Sequence, residues 1–142
     1  MDPIQSIVTA CAAMVLLVAV VAAKMVADRS REMRMRRIHP QQVATSRTAA
    51  QHYEAVQAAD NYRNLFELPV MFYVAVLTLY VTQLVILPQL VLAWIYVTAR
   101  YTHSYIHCTS NVVMRRFYAF LVSCLTLLAM WIVLAIQLLT KA

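Results

Sequence analysis

Four apolar runs leave this chain few ways to fold. They cover residues 4–27, 65–87, 88–106 and 117–140. Each is close to the roughly 20 residues that an α-helix needs to cross a hydrocarbon core about 30 Å thick. Lipid offers the backbone no hydrogen-bond partners, so such runs must be helical. The ten-residue alternating segments of an outer-membrane barrel are absent. The expected fold class is an all-α membrane protein, a four-transmembrane-helix up-down bundle. Composition agrees: 63% of residues are hydrophobic and 13% charged, against about 45–50% and about 25% in soluble domains.

The chain has no glycine. That excludes a glycine-rich phosphate loop, a dinucleotide fingerprint and a GxxxG packing motif. Its three cysteines, Cys11, Cys108 and Cys124, are odd in number and lack metal-type spacing. No disulfide framework, structural zinc or cysteine nucleophile is expected.

The first run is read as a retained transmembrane helix. Asp2 precedes it and Lys24 follows its apolar stretch, the reverse of a secretory signal's charge order. Arginines crowd the first connection, at 29, 31, 34, 36, 37, 47 and 63, and the third, at 100, 115 and 116. The second connection has no lysine or arginine, and Lys141 is alone at the far end. By the positive-inside rule, loops 1 and 3 face the cytoplasm and both termini lie opposite. The same bias accounts for most of the net charge of +6, so membrane lipid is an expected partner and nucleic acid is not. Residues 29–37 read as a solvated turn or as a lipid-headgroup patch. Residues 41–64 lack glycine and proline and favour helix. Helix two is therefore expected to start in the cytoplasm and enter the bilayer unbroken, with Pro40 as its upstream limit. Pro88 marks a short second loop and a helix start.

Ionisable residues inside the bilayer cost about 2.5–3.5 kcal/mol each at the helix centre. On helix two, Asp60, Asn61, Arg63, Asn64 and Glu67 form a polar cluster. Asp60, Asn64 and Glu67 share a face, and Arg63 stands four residues before Glu67, a spacing that permits a simple pair. On helix three, Tyr96, Arg100, His103 and His107 recur at i, i+4, i+7 and i+11, one continuous stripe. Such a stripe either holds the bundle by interhelical hydrogen bonds or lines a water-accessible cavity. Arg115 and Arg116, which open helix four, either anchor it at the interface or reach the same cavity. The combined set suits a small zwitterionic or polyanionic ligand, because arginine forks match carboxylates and a nearby guanidinium stabilises a thiolate. His103 and His107 have zinc spacing, but the third ligand is missing and Arg100 would repel a cation, so no metal site is expected.

The stretch from Asn61 to Tyr73, NYRNLFELPVMFY, resembles the second helix of the MAPEG family, the membrane-associated proteins of eicosanoid and glutathione metabolism. The stretch from Ala99 to Ser104, ARYTHS, followed by a basic pair, resembles that family's third helix and last cytoplasmic turn. The likeness is greatest to bacterial members and implies an inner-membrane location. It implies one transmembrane domain over residues 1–142, with helices at about 4–27, 42–86, 88–108 and 114–140, assembled as a homotrimer. It implies glutathione as co-substrate, with Asn64, Glu67, Arg100 and His103 as its contacts and Arg63 and His107 beside them. Arg116, or Arg115, matches the arginine that stabilises the thiolate. The implied activity is glutathione transfer to, or peroxidase action on, lipophilic small-molecule electrophiles. The alternative is a non-catalytic lipid- or partner-binding protein of the same fold. Asp60 and His107, which depart from the family pattern, favour that alternative. A transporter or channel subunit is disfavoured by the lack of inverted repeats.

Overall fold

The computed structural model describes residues 2–141, which contain helices and turns and no strand. Helix α1 (Pro3–Arg36) opens with Pro3 in its first turn and Asp2 as N-cap, whose carboxylate accepts from the Ile4 amide at 3.3 Å. Its 34 residues make a rod about 51 Å long, well beyond the apolar stretch expected to end at residue 27. The extension holds because arginine, glutamate and methionine are good helix formers. Two i,i+4 ion pairs line it, Lys24–Asp28 at 2.9 Å and Glu32–Arg36 at 3.6 Å. It stops at Arg37, in the left-handed region with φ 52°.

The expected unbroken helix over 42–86 is not what forms. A 3₁₀ turn at Pro40–Val43 leads into α2 (Ser46–His52), α3 (Gln57–Asn64) and α4 (Leu68–Thr82). The break before α4 has a cause in the sequence. Pro69 has no amide proton, and its ring would strike the carbonyl of Leu65 if the helix ran on. Pro69 instead sits in the first turn of α4, where its missing proton costs nothing. The break before α3 has a tertiary cause. The amides of Glu54 and Ala55 donate to the Glu32 carboxylate at 2.9 and 3.3 Å. Residues 37–56 thus fold back as a strap along the arginine-rich end of α1. Arg36 ties the same strap through Glu54 at 3.1 Å and the His52 carbonyl at 3.0 Å. Helix α5 (Leu87–Cys108) and helix α6 (Val113–Lys141) complete the chain.

Three segments are long and apolar enough to cross a membrane: Pro3–Arg36, Gln57–Thr82 and Val113–Thr140. Their packing fits lipid surroundings. On α1, only the line Ile7, Ala10, Met14, Leu17 and Val21 is buried. Val8, Val15, Leu16 and Val20 point outward, 46–59% exposed. A helix that is apolar on all sides while burying one stripe is a helix solvated by hydrocarbon. Helix α5 has the length of a span at 22 residues, but its polar stripe lowers its hydropathy. α5 packs on α6, α1 and α3, and α4 packs on α1 and α6. Phe72 of α4 stacks on Tyr96 of α5, with centroids 4.4 Å apart.

Candidate functional site

The polar stripe of α5 turns inward. Tyr96 and Arg100 are wholly buried, and His103 and His107 are nearly so, while Trp94 and Tyr101 on the same helix face out. The stripe spacing dictates this: positions 96, 100, 103 and 107 follow the helical period and must share one side.

Arg100 is the most unusual of them. Its Nη2 donates to the main-chain carbonyl of Asn64 at 3.1 Å. Its Nε and Nη1 are buried with no partner, and no carboxylate lies within ion-pair distance among the described residues. The Asn64 carbonyl is free to accept because α3 ends there, and a helix C-terminus carries partial negative charge. That offsets only part of the cost of a buried guanidinium, which is several kcal/mol when uncompensated.

His103 Nδ1 meets the Arg116 carbonyl at 3.1 Å. A carbonyl can only accept, so Nδ1 carries the proton and donates, and Nε2 presents a lone pair. That Nε2 is buried without a partner. His107 stacks edge-on against His103 at 5.6 Å, and its Nδ1 is likewise unpartnered. Arg116, in the first turn of α6, donates through Nη1 to Asn111 Oδ1 at 2.7 Å. Asn111 adopts the left-handed conformation, φ 48°, in the α5–α6 turn, a region that asparagine tolerates better than most residues.

These elements border an open cavity of about 260 Å³ lined by Asn64, His103, Val113, Arg116, Phe117 and Phe120. Asn64, His103 and Arg116 therefore meet at one void, with Arg100 immediately behind Asn64. The rest of the expected set lies elsewhere. Arg115 is exposed; consecutive helical residues point about 100° apart, so only one of the pair can enter the cavity. Arg63 is exposed, and its nearest carboxylate is Asp60 at 3.8 Å, not Glu67. Glu67 is exposed at the start of α4 and forms no ion pair among the described residues. Those residues also contain no histidine, cysteine or carboxylate group able to hold a metal.

Sequence reasoning placed Asn61 in the polar cluster of helix two without giving it a role, and missed Asn111, Val113, Phe117 and Phe120. Asn61 is fully buried, donating to Cys108 Sγ at 3.4 Å and accepting from Ser104 Oγ at 3.3 Å. These bonds pin α3 to α5. Its position three residues before Asn64 was a usable signal. So was the spacing of Val113, Arg116, Phe117 and Phe120 along one face of α6. Asn111 gave none, because its role depends on the turn conformation.

Buried cationic and imidazole groups around a void, in a bundle clad in exposed aliphatic side chains, define a membrane protein with an internal polar site. Residues 7–136 match the MAPEG family, and the chain belongs to that family, which is known in general for glutathione-related functions. Comparison with curated proteins and with solved structures finds no match.

Proposed function

We propose that this protein is a membrane-bound glutathione-dependent transferase or peroxidase acting on lipophilic electrophiles. The single observation that carries the reading is Arg100, a fully buried guanidinium with two unpartnered nitrogens, tied by its third to the carbonyl of the cavity-lining Asn64. A cation kept in that state asks for an anionic ligand, and glutathione supplies two carboxylates and a thiolate.

The roles follow from chemistry and position. Arg100 takes the ligand's carboxyl end, and the Nε2 lone pair of His103 accepts an N–H of the ligand beside it. Asn64 and Glu67 hold its peptide backbone and ammonium. Arg116 stabilises the thiolate, since a guanidinium beside a thiol favours its ionised form. In transfer, the thiolate sulfur bonds to the electrophilic carbon and the leaving group departs with its electron pair. With a hydroperoxide, the sulfur takes the distal oxygen, an alcohol leaves, and a second glutathione converts the sulfenic acid to disulfide and water.

The cavity within one chain is smaller than the roughly 300–1,000 Å³ usual for small-molecule sites. Arg63, adjacent in the chain to the cavity-lining Asn64, and Glu67 are exposed. Both facts suit a homotrimer in which a neighbouring protomer closes the site. In this reading α5 is the fourth span, loops 1 and 3 face the cytoplasm of a bacterial inner membrane, and Arg115 anchors α6 at the interface. Calorimetric titration of the purified protein with glutathione tests the core of the proposal. Saturable binding that Arg100→Gln weakens is expected, and a flat isotherm refutes it.

One observation favours the non-catalytic alternative. An apolar groove of about 750 Å³ runs along α5 and α6, lined by residues that include Leu90, Trp94, Ile95, Thr98 and Val122. It is large enough for an acyl chain. Co-purified lipid, retained in place of thiol and with no turnover of any electrophile, would establish that reading.

A further inference from the structure

Helix α3 has only eight residues, and helices that short are marginal without tertiary support. Its N-terminus has no side-chain cap. Yet it carries Asn64, which lines the cavity and whose carbonyl receives Arg100. Something outside α3 must fix where Asn64 sits. Its C-terminal half is pinned to α5 by Asn61, through Ser104 and Cys108. The segment entering it is held by Glu32 of α1, whose two carboxylate oxygens take the amides of Glu54 and Ala55 separately, at 2.9 and 3.3 Å. Arg36, one turn further along α1, braces that carboxylate at 3.6 Å and the Glu54 side chain at 3.1 Å. Glu32 is largely shielded, its side chain 15% exposed. Hydrogen bonds in which the acceptor is ionised are about twice as strong as neutral ones.

We propose that Glu32 is a positioning residue of the cavity: by gripping the strap just before α3, it sets the axial place of that helix and hence of Asn64. The inference rests on the reading of the cavity as a glutathione site. Glu32 is not among the residues that line the cavity. It acts through a lever of about nine residues, or about 13 Å of helical rise, anchored on a rod the rest of the bundle packs against. A displacement near 1 Å at a binding group can cost up to about 10²-fold, so loss of the grip is expected to weaken binding about tenfold while leaving the chemical step alone.

Full-length protein carrying Glu32→Ala, Glu32→Gln or, as control, the exposed and unpaired Arg31→Ala is compared by hydrogen exchange and by glutathione kinetics. Glu32→Ala is expected to speed exchange across residues 54–64 and raise the glutathione KM about tenfold with kcat within about twofold. Glu32→Gln, which keeps a carbonyl acceptor, should recover part of both, and Arg31→Ala should change neither. Unchanged exchange at 54–64 overturns the proposal, because the strap is then held by something else. Faster exchange with an unchanged KM also overturns it, leaving Glu32 a merely structural contact. If the wild-type protein binds no glutathione, the functional reading falls and the role in positioning a glutathione site falls with it. Exchange at 54–64 still reports the grip itself, so the two failures are distinguishable.

Discussion

Helices α1 and α5 each bury one stripe at spacings of three and four residues, and the two stripes have opposite chemistry. On α1 the buried line is Ile7, Ala10, Met14, Leu17 and Val21. On α5 it includes Gln89, Tyr96, Arg100, His103 and His107. The α1 stripe asks only for volume. The α5 stripe contains hydrogen-bonding atoms that the fold leaves without partners: Gln89 Oε1, the Tyr96 hydroxyl, two nitrogens of Arg100, and one each of His103 and His107. Yet polarity alone does not make a site. At the far end of α5, Gln89 is equally buried and its Oε1 is also unpartnered, but its Nε2 donates to Gln137 Oε1 at 3.2 Å and to the Met130 carbonyl at 3.3 Å, and it lines neither the polar cavity nor the apolar groove. Gln137 in turn donates to the Leu84 carbonyl at 3.0 Å. That cluster ties α5 to α6. Among the described residues, the arginine-rich end combines unmet hydrogen-bonding groups with a void lined by Asn64, His103 and Arg116.

The contrast can be broken first at Arg116. Arg116→Ala should cut thiol-dependent turnover by about 10²–10³, the usual size for removing one preorganised donor from a developing charge. Equal turnover in mutant and wild type would take the thiolate role away from it. Arg115→Ala, outside the cavity, should leave turnover nearly intact.

Arg100→Leu separates binding from stability. Removing an uncompensated buried charge is often neutral or stabilising, so the unliganded protein should unfold no more easily in detergent. Glutathione should bind about 10–100-fold more weakly, the cost of losing charged hydrogen bonds in a desolvated site. A strongly destabilised unliganded protein would show that Arg100 serves the fold instead. The α1 stripe should answer in the opposite way. Met14→Ala should cost about 2 kcal/mol or more from the cavity it leaves, visible as a lower unfolding midpoint, while glutathione affinity stays constant. A fall in affinity would mean the two stripes are coupled. The smallest effect belongs to the exposed rim: Lys24→Ala, which deletes the surface pair with Asp28, should change stability by less than about 0.5 kcal/mol.

Much of this was legible in advance, and the reasons differ by residue. The α5 stripe could be read because a helix in lipid has a fixed period, and ionisable groups at that period cannot face hydrocarbon. Asn64 could be read from its place in the same polar band. The helix break at residues 65–67 was signalled by Pro69 but outweighed by the good helix propensity of what precedes it. The strap was hidden, because the two amides that shape it are satisfied by Glu32, 22 and 23 residues away. The choice between Arg115 and Arg116 depends on the phase of α6 relative to His103, and that is set by the α5–α6 turn at Asn111.

The sequence by itself determined that the chain lives in lipid and that it is helical. It also determined which side of α5 is polar, because hydration cost and backbone hydrogen bonding act residue by residue along a regular helix. Tertiary structure decided which polar groups find partners and which do not. It left Arg100 unmatched, brought Asn64, His103 and Arg116 to one void and sent Glu67 outward. Those outcomes depend on distances between separate helices, and no local preference along the chain encodes them.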